Sequence, residues 1–247
     1  MACTSKYSYA TEQLAKIPAH PIHFKQHMAC PVINPDTGVS LEYLHLIQGP
    51  DKDIWVKALA NDFGRLAQGV KGRMPTGNST IFFIHPSDIP SHKKFTYGRL
   101  VVDIRPLKEE KYRVRITVGG DKLDFCGDAS SVAASLSTVK LLLNSVVSTK
   151  GAKLTTADIK DFFYASFLPD PEYMRMILKI IPQEIIDQYQ LQDLEKDGWV
   201  YMKIVKGMPG LKQAACLANE RLVHHLAPYV IKVFSRRLIT LAPGRRW

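Results

Sequence analysis

The segment Tyr112-Arg-Val-Arg-Ile-Thr-Val118 alternates apolar and polar side chains without a break. A period of two belongs to a β-strand with one buried and one solvated face. Tyr112, Val114, Ile116 and Val118 take the core side, so Arg113 and Arg115 project together from the other. Two planar guanidinium forks side by side suit a phosphate, although an ordinary solvated face is the simpler reading of the pattern alone. Arg99 to Ile104 reads as a second strand, joined to the first through polar residues 106–111 as a hairpin.

Helical spacing appears on both sides of this hairpin. Trp55, Leu59, Phe63 and Leu66 follow Gly49-Pro50 and a capping Asp51 or Asp53, and the run stops near Gly69. Ser137 or Thr138 can cap a core-facing helix carrying Val139, Leu142, Leu143 and Val146. A third helix starts after Gly210, with Leu211, Ala215, Ala218, Leu222 and Leu226 in register, and Pro228 closes it. A polar helix is expected at Gln183 to Tyr189. Further strands are expected at Thr80 to Ile84, Lys153 to Ile159, Tyr173 to Leu178 and Trp199 to Val205, with a turn or short helix at Asp161 to Phe167. Without a regular βαβ alternation the fold class is α+β.

The chain has 247 residues, 46% hydrophobic and 23% charged, which excludes a mainly disordered chain, a collagen and a coiled coil. Residues 1–44 read as a loosely structured lead-in that ends in a turn at Asn34 to Gly38; 45–228 carry the regular elements, and 229–247 form a basic tail. The net charge is +10, but six cations and no acid lie from Arg221 onward, so residues 1–220 carry 27 cations against 23 acids. A basic surface suits a polyanion such as nucleic acid. No stretch is apolar enough to span a bilayer and no secretory signal opens the chain, so an intracellular protein, cytoplasmic or nuclear, with no membrane partner is expected. Cys3, Cys30, Cys126 and Cys216 lie far apart and suit free thiols in a reducing compartment.

Four constellations can carry chemistry. Leu154-Thr-Thr-Ala-Asp158-Ile159 delivers a carboxylate where a strand turns, and a hard dication such as Mg²⁺ takes oxygen ligands of this kind; a plain turn residue is the local alternative. Arg113 and Arg115 form the second. Lys206-Gly-Met-Pro-Gly210-Leu-Lys-Gln213 joins a strand to a helix, where free N–H groups and the helix dipole suit an anion, against a simple glycine-closed turn. The fourth, His20-x-x-His23-x-x-x-His27-x-x-Cys30, has zinc-like spacing, but Pro18 and Pro21 favour a flexible polar segment.

Taken in order, these segments resemble the reverse transcriptase domain of copia-type retrotransposon polyproteins. Trp55 with Ala58, the basic strand Tyr112 to Gly119, the Leu-rich helix at Val139 to Val147, Asp158-Ile-Lys-Asp-Phe-Phe163 with Tyr173-Met174, and Met208-Pro-Gly-Leu-Lys-Gln-Ala214 carry the likeness, over Trp55 to Leu226. The resemblance implies the fingers and part of the palm of a right-hand RNA-directed DNA polymerase. It implies Asp158 and the carbonyl of Ile159 as Mg²⁺ ligands, with Asp158 catalytic. It also implies Arg113, Arg115, Phe163 and Gly210 at the incoming nucleotide, and an RNA or DNA template-primer with deoxynucleotides as partners. The family's consecutive aspartates have no counterpart, since the sequence contains no Asp-Asp pair, and Pro209 replaces the usual tyrosine. The expectation is therefore a truncated domain inactive by itself; the alternative is a non-catalytic nucleic-acid-binding or protein-binding remnant.

Overall fold

The computed structural model describes residues 31–106, 108–125, 127, 134–154, 159–234 and 238–241. Its packing starts from one helical stripe. After a single helical turn, α1 (Tyr43–Leu46), comes α2 (Lys52–Leu66). Trp55, Leu59, Phe63 and Leu66 on α2 are each at most 2% exposed. Burying side chains of this size stabilises by roughly 1.5–3 kcal/mol each. Asp51 occupies the N-cap position, yet its side chain accepts no capping hydrogen bond.

Opposite α2 stands a five-stranded sheet of β1 (Ile81–Ile84), β2 (Phe95–Ile104), β3 (Tyr112–Val118), β4 (Phe167–Ile177) and β5 (Trp199–Lys206), in the order β1-β5-β4-β2-β3. All neighbours are antiparallel except β2 and β4. β2 divides its length: Phe95 to Tyr97 pair with Tyr173 to Arg175 on β4, while Gly98 to Ile104 pair with Val118 to Tyr112 on β3. The sheet curls where β2 changes partner.

The alternation of β3 appears as expected. Val114 and Ile116 are fully buried against α2, and the Trp55 ring meets the Tyr112 ring edge-on at 5.2 Å. Met174, Met176, Val200, Met202 and Ile204 line the same side of the sheet. α4 (Gln183–Tyr189) and α5 (Leu191–Leu194) close it, with the Tyr189 ring 5.0 Å from Phe83. The Tyr189 hydroxyl donates to the Gly69 carbonyl at 2.7 Å, tying α4 to the loop after α2. The Asn34 to Gly38 turn is present, its Asn34 Oδ1 accepting from the amides of Asp36 and Thr37.

Other expectations need correction. α3 (Leu136–Ser148) is capped by Ser135 rather than by Ser137 or Thr138 and so starts two or three residues earlier than expected; the Ser135 Oγ accepts from the Thr138 amide at 3.1 Å. Its apolar stripe does not face a core. No residue of α3 is buried, and Val139, Leu142 and Leu143 are 39%, 37% and 44% exposed, because no described element packs against it closely enough to cover the stripe. Lys153 and Leu154 form no strand, having no ladder partner among the described residues; 155–158 lie outside them. β4 begins at Phe167, earlier than Tyr173, and is interrupted by a bulge between Phe167 and Glu172, where Pro169 and Pro171 cannot donate to a ladder. The last long helix, α6, spans Ala214–Leu226 and so starts after the glycine loop has turned. The basic tail holds a two-stranded antiparallel ribbon, β6 (Val230–Phe234) with β7 (Leu238–Leu241).

Candidate functional site

The site is built on the wet face of β3. Arg113 stands opposite Asp103 and Arg115 opposite Val101 on β2. Both arginines are half-buried, and Arg113 makes no ion pair among the described residues; its Nε is enclosed without a hydrogen-bond partner. Burial lowers the Arg113 pKa from its usual value, and Arg115, Arg105 and Arg65 lower it further, with Asp62 acting the other way. A partly desolvated guanidinium among like charges favours an anion as its neighbour.

Asp62 reaches this strand from α2. It is 2% exposed, and its Oδ2 accepts from the Ile116 amide at 2.8 Å. That amide lies on the free edge of β3, so the carboxylate closes an edge position that another chain could otherwise pair with. Burial pushes the Asp62 pKa up to about 6, against the opposing pull of the Ile116 hydrogen bond and of Arg65, Arg113 and Arg115.

A second segment arrives from the chain before β4. Asp161 takes a left-handed φ of 56°, and one 3₁₀ turn follows at Phe163–Ala165. Phe163 is half-buried against the core, with its ring 5.9 Å from that of Phe162. Tyr164 lies within electrostatic reach of Asp62, Arg115, Arg113 and Asp161. Burial, then the Asp62 charge, pushes its pKa up to about 12, while the two arginines pull it down. Near neutral pH Tyr164 is therefore a phenol that can donate a hydrogen bond.

The loop between β5 and α6 fastens the two segments together. The Gly207 amide donates to the Ser166 carbonyl, and the Val118 amide donates to the Pro209 carbonyl, both at 2.8 Å. Gly210 has φ +97°, and a Cβ there would lie 2.0 Å from the Val118 carbonyl oxygen. A Cβ on Gly120 would meet the Gly210 carbonyl at 2.1 Å. Two glycines thus let the loop lie flat on the end of β3. Beyond it, buried Gln213 donates to buried Glu172 at 3.2 Å, which anchors the start of α6.

The fold therefore gathers Arg113, Arg115, Phe163 and Gly210 from separate stretches of chain into neighbouring segments. Ile159 is 45% exposed at the start of the second segment. Asp158 lies outside the described residues, as do His20, His23, His27, Cys3, Cys30 and Cys126. Sequence reasoning overlooked Asp62 and Tyr164. Asp62 had left a signal, an acid one residue before Phe63 inside a buried helical stripe; Tyr164 had none, since only the fold brings it to β3. Among the described residues, no three His, Cys, Asp or Glu side chains are grouped closely enough to share a metal ion, and no helix is long and apolar enough to cross a membrane. No protein-family model matches the chain, and no curated protein or solved structure matches it either.

Proposed function

We propose that the chain is a copia-type reverse-transcriptase-like domain that engages nucleic acid and a nucleoside triphosphate but does not extend a primer on its own. One observation carries the reading. β3 with Arg113 and Arg115, the turn with Phe163 and Tyr164, and the Gly207 to Gln213 loop pack against one another. Those are the stretches that resemble the family. Phosphoryl transfer asks a protein mainly for positioning and charge, and two arginine forks beside a neutral phenol supply both to a polyphosphate.

Mg²⁺ enters this reading through the Asp158 carboxylate and the Ile159 carbonyl, as the resemblance implies. When bound, such an ion neutralises charge on the phosphates. A two-metal clamp needs further carboxylates, and among the described residues no three His, Cys, Asp or Glu side chains are grouped closely enough to share an ion. Magnesium therefore stays an implication of the resemblance. A remnant that binds nucleic acid or protein without catalysis is the second reading; the cationic wet face of β3 favours its nucleic-acid form.

The test offers the protein a primed template, Mg²⁺ and labelled deoxynucleoside triphosphates. Expected are triphosphate binding, loss of that binding in the double variant Arg113→Ala with Arg115→Ala, and no primer extension. Extension abolished by Asp158→Asn would make the chain a polymerase in its own right. Absence of both triphosphate and template binding would overturn the reading.

A further inference from the structure

The sheet has a second face that the site above uses only at one end. In register with Arg113, Arg115 and Thr117 on β3 stand Asp103, Val101 and Arg99 on β2. The same side continues through Tyr97 and Phe95 to Arg175 and Tyr173 on β4, and on to Tyr201 and Lys203 on β5. Ile177 and Trp199 extend it, and Phe82 and Ile84 on β1 complete it. Cations and aromatic rings dominate. Arg99, Arg113, Arg115, Arg175 and Lys203 face a lone acid, Asp103, at the strand positions on this side.

The rings are held, and several stay open to solvent. The Arg175 guanidinium lies 4.1 Å over the Trp199 ring and 5.0 Å over the Phe95 ring. Tyr201 meets Phe95 edge-on at 5.3 Å. Phe95 and Tyr97 nevertheless each remain 41% exposed, and Phe82 39%. The connection from β1 to β2 passes over the Tyr201 end, where Pro86, Pro90, Lys93, Phe95, Lys196 and Tyr201 line a cleft of about 400 Å³. Isolated exposed apolar residues are ordinary, but a row of aromatic rings set in arginines along one face of a curled sheet is not.

We propose that this face binds single-stranded nucleic acid, with unpaired bases stacking on Phe95 and Tyr97 and phosphates pairing with Arg99 and Arg115. The excess of cations selects a polyanion, and the partly exposed rings of Phe95 and Tyr97, one backed by Arg175 and the other by Gly119, select bases that are free of a duplex. Stacking is indifferent to sequence, so the strand is held without readout. The inference rests on the proposed function and extends it by naming the strand that the domain holds and where, on a sheet face that shares Arg115 with the triphosphate site.

The test uses the full chain with labelled homopolymeric deoxythymidine and uridine strands and a duplex of the same length, followed by fluorescence anisotropy over a salt series. Both single strands are expected to bind more tightly than the duplex. Affinity should fall with salt, and Arg99→Ala should make the log–log slope shallower by about 0.7. Phe95→Ala is expected to weaken single-strand binding by about tenfold while leaving the duplex unchanged. A bromouridine-substituted strand photocrosslinked to the unmutated chain should map to Phe95, Tyr97 or Trp199, which keeps the proposal testable if Phe95→Ala misfolds. Equal affinity for duplex and single strand, or crosslinks confined to the tail after Tyr229, would overturn it. Loss of binding in the Arg113→Ala, Arg115→Ala variant but not in Phe95→Ala would sink this platform and spare the proposed function. Absence of any binding would sink both.

Discussion

Asp62 shows how one buried carboxylate can serve stability and depend on pH at once. Its folded pKa of about 6 lies above the ordinary carboxylate value, so the native state binds the proton more tightly than the unfolded chain does. Its contribution is therefore most favourable below about pH 4 and is lost as pH rises through about 6. With each pKa unit equivalent to about 1.4 kcal/mol, the swing is at most about 3 kcal/mol. Asp62→Asn should flatten that slope, and urea midpoints measured between pH 4 and 7 will show whether it does. Gly210 is constrained by space and by backbone together. Gly210→Ala would need a left-handed φ and a Cβ inside the Val118 carbonyl. It should lower stability by about 2 kcal/mol or more, read as a drop in urea midpoint with little change in m.

Elements differ in how firmly their faces are occupied. α2 spends its stripe fully on the sheet, so Phe63→Ala should cost about 3–5 kcal/mol in chemical denaturation. α3 carries an apolar stripe that the described residues leave largely open, and its Leu141 and Val147, outside that stripe, are 70% and 87% exposed. Leu141→Glu and Val147→Lys should therefore change stability by less than about 0.5 kcal/mol and reduce light scattering in concentrated solution. Ser135→Ala removes the bond to the Thr138 amide and should cost the helix about 1 kcal/mol, seen as lost helicity in far-ultraviolet circular dichroism. β3 illustrates an edge held against strangers. Asp62 and Pro209 occupy the amides of Ile116 and Val118 that would otherwise invite a further strand.

At the scale of the whole molecule, the cationic face joins the Arg113 and Arg115 end to the Phe95, Arg175 and Trp199 end across the width of the sheet. If that face holds a strand, nucleic acid should raise the melting temperature of the chain, and the rise should shrink with added salt. Differential scanning fluorimetry with and without a uridine homopolymer measures this directly. Strand periodicity, helical spacing and the α+β class were legible in the chain because they follow from local rules: side chains alternate on a strand and recur every three or four residues on a helix. The face assignment of Arg113 and Arg115 was legible for the same reason, since shifting the register of β3 by one residue would bury both guanidinium groups. The short helical turn of Tyr43 and Leu46 went unread because a single turn carries too little periodicity. Which strand lies beside which, that Asp62 accepts from the edge of β3, and that Tyr164 comes within electrostatic reach of the two arginines all depend on residues dozens of positions apart. So does the row formed by Phe95, Arg175 and Trp199. No local pattern encodes such meetings, because they depend on how the buried stripes of every element compete to leave water together.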